Sequence, residues 1–138
     1  MELNSILFDP IIKRAAVSPR RRIHYDLRTQ AFEENWEDSS QRMLNVLMPD
    51  TVIPIHRHND TSETVIICRG AVREEFYDSN GNLTASFILE AGGDCPGIQV
   101  PRGQYHTCVC LCPGSVIFEA KDRPYDPQTT EDILAINV

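Results

Sequence analysis

Three of the four histidines in this chain fall into one two-part pattern, His56-x-His58-x4-Glu63 followed by Pro101-x-Gly103-x2-His106. Residues i and i+2 of a β-strand point to the same face, about 6.6 to 6.8 Å apart, so His56 and His58 can aim two imidazoles at one ion. The run Asn59, Asp60, Thr61, Ser62 is turn-prone and lets the chain return the Glu63 carboxylate to the same point. His106 lies far along the chain and must come from a strand that folds back beside the first, with the Pro101 to Gly103 turn setting its approach. An isolated His-x-His is usually a surface or core pair. The added carboxylate and third histidine turn it into a candidate site for one divalent transition metal ion. Zn, Fe, Mn, Ni and Cu all accept imidazole, so the set leaves the ion's identity open.

These ligands need strands to carry them. From Arg22 onward turn signals recur at short intervals and most segments alternate, which is the all-β pattern. The expected strands are Ile23–Leu27, Arg42–Met48, Val52–His58, Glu63–Arg69, Ala71–Tyr77, Thr84–Leu89, Gly97–Val100, His106–Leu111 and Ser115–Ala120. Gly70 would close the first ligand hairpin, Asn80-Gly81 predicts a type I′ turn, and Gly92-Gly93 and Pro113-Gly114 mark further turns. Ahead of them a short helix is expected, with Asp9 as N-cap, Pro10 as its first residue, an apolar stripe of Ile11, Ile12, Ala15 and Ala16, and a stop at Pro19. The chain then divides into a helical segment, residues 1–19, packed on a single β domain, residues 20–138. Strands of this number and length close into a jelly roll or small barrel whose mouth can house a metal.

Composition narrows the partners. At 138 residues there is room for one sizeable core. A net charge of −7 argues against nucleic acid or an anionic membrane, whose phosphates call for clustered Lys and Arg. A small-molecule ligand fits better. No apolar run approaches the ~18 residues of a membrane span, and the first residues lack the layout of a secretory signal, so a cytoplasmic location is expected. Five cysteines, an odd number without an export signal, predict no disulfides. Cys108, Cys110 and Cys112 alternate behind His106, and Cys108 could border the metal pocket. A separate zinc on these three thiols is disfavoured, because alternation along a strand spreads them too far for one ion.

The combined pattern HxHx4Ex6G and PxGx2H resembles the two motifs of the cupin superfamily. The likeness narrows to the WbuC-type cupin metalloproteins through Ser18-Pro-Arg-Arg-Arg-Ile-His24, Gln41-Arg-Met-Leu-Asn-Val-Leu47, His56-Arg-His58, Val65-Ile-Ile-Cys-Arg-Gly70, Pro101-Arg-Gly-Gln-Tyr-His-Thr107 and Lys121-Asp-Arg-Pro-Tyr125. It implies a double-stranded β-helix, a jelly-roll barrel, with a divalent metal at His56, His58, Glu63 and His106. It also suggests a link to surface-polysaccharide biosynthesis. Three positions depart from the pattern. Ser62 replaces an aromatic before the first-motif carboxylate, Tyr105 stands where a Trp is usual, and Cys110 sits four residues past the last histidine, where the superfamily often has Asn.

Other polar residues could turn a metal holder into a ligand site. Arg20, Arg21 and Arg22 form the only dense basic cluster in an acidic chain, and guanidinium forks suit phosphate or carboxylate. Arg20, Arg22, Cys108, Lys121 and Tyr125 are the candidate ligand-binding residues, and Tyr105 and Glu119 the candidate proton-transfer groups. The competing reading makes the arginines a solvated junction and Glu119 and Lys121 an outward ion pair. Arg57, between two ligands, should point away from the ion, and His24 reads as structural. Three functions then compete. One is a metal-dependent isomerase, epimerase or Fe(II) oxygenase acting on a small sugar-derived or anionic metabolite. The second binds such a ligand without turnover, and the third keeps the metal for structure alone. A homodimer would be a common way to cover the edge strands.

Overall fold

The computed structural model describes residues 4–32, 40–123 and 132–135. One helix, α1 (Phe8–Val17), precedes eight strands: β1 (Arg22–Asp26), β2 (Gln41–Leu47), β3 (Glu63–Arg69), β4 (Ala71–Tyr77), β5 (Leu83–Glu90), β6 (Gly97–Val100), β7 (Tyr105–Cys110) and β8 (Ser115–Lys121). They form two antiparallel sheets, one ordered β1-β2-β8-β3-β6 and the other β5-β4-β7. The sheets face each other, and the core between them draws Leu47, Val65, Ile67, Val72, Leu89, Val100, Cys110 and Ile117 from seven different strands. This is the cupin jelly roll in outline, all-β with a short N-terminal helix.

Helix α1 covers the outer face of the larger sheet. Ile11 and Ala15 pack with Leu44, Val46 and Val116, so β2 and β8 are buried on both sides. The expected N-cap at Asp9 is not used: the helix starts two residues earlier, its cap position is Leu7 without a side-chain hydrogen bond, and Asp9 instead pairs with Arg69 at 3.1 Å. The hairpin at Asn80-Gly81 also differs. Only Gly81 has positive φ, and the Asp78 carboxylate accepts from the Asn80 and Asn82 amides, so a five-residue loop replaces the type I′ turn.

Register decides which side chains look inward. Residues directly opposite share a face, so the pairs His24↔Asn45, Met43↔Glu119, Gln41↔Lys121, Glu63↔Lys121 and Glu74↔Cys108 define one inner surface. Along each strand this surface runs from apolar to polar. Strand β8 presents Ile117 and then Glu119 and Lys121, and β4 presents Val72 and then Glu74. One end of the barrel is therefore dry and the other is lined with charge.

Gly70 seals the dry end, at φ +78 between β3 and β4. A Cβ there would run into the Ser115 hydroxyl, which accepts from the Ala71 amide and donates to its carbonyl region. Left-handed backbone and overlap each cost about 1 to 2 kcal/mol for an L side chain. Gly70→Ala should lower the thermal midpoint by several degrees without touching the polar end, which a melting curve checks.

Candidate metal centre

Segment 52–58 carries two of the four candidate ligands, but it is not the regular strand its alternation suggests. Pro54 has no N–H to give, and in 52–58 only His56 forms β-bridges, to His106 and Ile133. The His56 N–H donates to the His106 carbonyl at 3.0 Å, and the His106 N–H donates to the His56 carbonyl at 2.8 Å. That exchange sets the two histidines side by side, although they come from different halves of the chain. Gly103 N–H donating to the His58 carbonyl at 2.7 Å ties the second motif's turn to the first motif.

The rings are preset in the same way. His56 Nδ1 lies 2.8 Å from the Pro54 carbonyl and His106 Nδ1 lies 2.9 Å from the Gln104 carbonyl, each two residues back. A carbonyl only accepts, so each Nδ1 carries the proton and each Nε2 is left as a lone-pair ligand. Ring centroids stand 4.4 Å apart for His56 and His106, 5.1 Å for His56 and His58, and 5.6 Å for His58 and His106. One nitrogen from each ring lies within 4.8 Å of the others, a cluster that could hold a metal.

Glu63, 4% exposed, begins β3 and faces this cluster. Its Oε2 is 3.1 Å from His58 Nε2, 3.6 Å from His106 Nε2 and 3.7 Å from Lys121 Nζ. Yet neither Glu63 Oε2 nor His58 Nε2 has a hydrogen-bond partner. Buried polar atoms are nearly always paired. Two buried atoms of ligand type that face one another at 3.1 Å without a well-formed hydrogen bond fit a shared cation. Burial would raise Glu63, but Lys121 and the neighbouring imidazoles outweigh it and hold the carboxyl well below its usual range. Burial, helped by the charge on His106, pushes His56 down to about 3. Burial also opposes charge on His106, and the adjoining Glu63 overcomes it, so this imidazole is raised. An ionised carboxylate and a neutral His56 are the protonation states that a metal needs.

A cavity opens beside the cluster, and the structure sorts the remaining candidates around it. Arg22, Cys108, Glu119 and Lys121 line it. Glu119 and Lys121 therefore face inward, correcting the expectation of an outward pair: Glu119 accepts from Asn45 Nδ2 at 3.1 Å, and Lys121 sits beside Glu63. His24 also lines the cavity, because it follows Arg22 on the inner face of β1. Arg20 does not reach it, and joins Ser18 and Phe32 around an adjoining depression that shares Arg22 and His24 with the cavity. Arg21 is held by Asp50 at 3.0 Å and by the Ala16 carbonyl. Tyr105 alternates with His106 along β7 and so lies on its outer face, under the Arg57 guanidinium at 4.7 Å. Its phenol is not placed for proton transfer in the cavity. Cys112 lies beyond the end of β7 and is exposed, leaving only Cys108 and Cys110 on the His106 face. All five cysteines are free thiols. Tyr125 lies outside the described residues.

Glu74 is the residue that sequence reasoning missed. It lines the cavity from β4, opposite Cys108, is 1% exposed, and its Oε2 has no hydrogen-bond partner. Burial, with Glu63 and Glu119 adding like charge against the opposing pull of His106, raises its carboxyl to about 8. The signal was present in the alternation of Val72, Glu74 and Phe76, which puts a carboxyl on the face of a core valine.

A family profile described as a domain of unknown function, DUF6016, matches residues 3–89. The chain belongs to the DUF6016 family. No curated protein matches it. Among solved structures, this DUF6016 protein is similar to KdgF from Halomonas sp., at 16% identity and a TM-score of 0.57 over 78% of this chain and 83% of that one. It is similar to the capsular polysaccharide assembling protein CapF from Staphylococcus aureus at 19% identity and a TM-score of 0.54, covering 65% of this chain. It spans only 24% of CapF's length. An oxalate oxidase in complex with the substrate analogue glycolate aligns at 15% identity and a TM-score of 0.58, over 78% of this chain and 54% of that one. These are cupin-fold proteins, and at such identities the likeness speaks for the fold. Among the described residues of the DUF6016 chain, no helix is long and apolar enough to cross a membrane.

Proposed function

We propose that this protein is a metal-dependent cupin that takes a small anionic, sugar-derived metabolite and acts on it by proton transfer, as an isomerase or epimerase would. One observation carries the reading. Three imidazoles and a carboxylate meet at the polar end of the barrel, where Glu63 Oε2 and His58 Nε2 are buried 3.1 Å apart without a well-formed hydrogen bond. His56, His58, Glu63 and His106 would hold the ion. A divalent ion there supplies Lewis acidity, polarising a carbonyl or hydroxyl of the bound metabolite.

The chain's own residues account for the rest. Arg22 and Lys121 bring positive charge to the cavity wall and suit a carboxylate or phosphate on the ligand. Glu119 is steadied by Asn45, and Glu74 holds its proton near neutral pH, so the pair offers an acceptor and a donor in one cavity. Met43, Ile53 and Ile133 supply the apolar part of the wall. The motif likeness to WbuC-type cupins and the structural likeness to CapF both favour a substrate from surface-polysaccharide metabolism.

The test is a thermal-shift screen of the metal-loaded protein against sugar acids and sugar phosphates, followed by turnover of the hits. A hit whose shift disappears in Lys121→Met supports the reading. Neutral sugars shifting the midpoint as much as acids would refute the anionic substrate, and a hit without turnover would make the protein a binding module.

A further inference from the structure

The segment that carries His56 has a backbone partner outside both histidine motifs. Residues 132–135 run antiparallel to residues 55–57, with the Arg57 N–H donating to the Asp132 carbonyl at 2.9 Å and the Leu134 N–H to the Ile55 carbonyl at 2.8 Å. Asn59 Nδ2 adds a bond to Asp132 Oδ1 at 2.9 Å. His56 is thus the middle of a three-stranded patch, with His106 on one side and Ile133 on the other.

The two sides are not equivalent. His56 and His106 exchange both backbone bonds directly, whereas the bonds around His56 and Ile133 fall on the flanking residues. The latter is the close type of antiparallel pair, which brings facing side chains nearest one another. Ile133 accordingly lines the cavity together with His56 and His106, although it remains 36% exposed. Without this partner, segment 52–58 would be an edge held to β7 by the two His56 backbone bonds and by the Thr107 hydroxyl donating to the Ile53 carbonyl at 2.7 Å, with Pro54 unable to donate a further backbone bond.

We propose that residues 132–135 are a positioning strap for the metal centre: they fix the backbone of His56 so that Nε2 stays on the ion, and Ile133 walls the cavity beside it. The proposal rests on the assignment of the metal to His56, His58, Glu63 and His106. A ligand held in its binding orientation only part of the time weakens affinity by that fraction, and undocking the strap imposes this loss on His56.

The experiment loads the full chain with Co(II), records its visible spectrum, and follows release into excess chelator. Leu134→Pro deletes the donor to Ile55 and Leu134→Ala keeps it. Release about tenfold faster in Leu134→Pro, with an altered spectrum, and near-wild-type release in Leu134→Ala are the expected results. Gly70→Ala, destabilised at the dry end, should release at the wild-type rate, which separates positioning from loss of global stability. Should Leu134→Pro not fold, Ile133→Ala takes its place, with release several-fold faster expected. Equal rates in wild type and the strap variant overturn the strap. Failure of the wild-type chain to take up Co(II) overturns the metal assignment instead.

Discussion

His56→Ala and His106→Ala should each abolish metal loading, from about one ion per chain to a background trace. Apparent binding energies of roughly 10 to 16 kcal/mol for four-ligand protein sites put each ligand at about 2.5 to 4 kcal/mol, so removing one lowers affinity ~100-fold or more. His24→Ala is the control: His24 lines the same cavity but stands outside the cluster, and its variant should load normally. Elemental analysis after dialysis decides, and full occupancy in both ligand variants would refute the assignment. The pH dependence follows from the same residues. His56 stays neutral down to about 3, and Glu63 stays ionised well below the usual carboxylate range, so neither limits loading in mild acid. His106 does, because Glu63 raises its proton affinity above the ordinary value of 6.5 and that proton must leave before Nε2 can ligate. Affinity should therefore begin to fall above pH 6.5 as the solution is acidified. A fall that starts only near pH 4 would place the controlling proton on a carboxylate.

The grouping of the three histidines with Glu63 and most strands were legible because both depend on local spacing. Alternation names the strand, and two-residue spacing names the face. What local spacing cannot reveal is which face a neighbouring element covers. Strand β8 alternates Ile117, Glu119 and Lys121 with Val116 and Phe118, and the cluster under α1 takes up the second set while the barrel takes up the first. With apolar residues on both faces, the inward direction of Glu119 and Lys121 had no local signature. The inner-surface position of His24 was hidden for the related reason that it follows from pairing with Asn45. Residues 132–135 were missed because four residues pairing with a distant segment leave no periodicity to read. Segment 52–58 shows the converse, an alternating run that Pro54 keeps from forming a ladder.

Glu74→Gln should stabilise the metal-free protein at about pH 8 and remove a pH dependence that wild type carries. The Glu74 carboxyl lies at about 8 when folded, against 4.5 for an unperturbed glutamate. Between those values the folded chain binds one more proton than the unfolded chain, so stability falls as pH rises, by about 1.4 kcal/mol per unit. Below that window both states are protonated and above it both are ionised, so the contribution is flat at either end. The whole difference, about 3.5 pH units at about 1.4 kcal/mol each, is on the order of 5 kcal/mol. His56 slopes the other way, because its lowered value makes the folded state shed a proton that the unfolded chain keeps below 6.5. Subtracting the variant's denaturation curve from that of wild type isolates Glu74. Identical slopes for the two proteins would mean that Glu74 ionises normally and has no proton to offer. Loading the metal should shrink the difference, since a cation beside Glu63 and His106 favours the ionised form of every carboxyl facing the cavity. Metal and proton would then compete through Glu74 without its being a ligand. That competition ties the metal state of the barrel to the protonation of its most deeply buried acid.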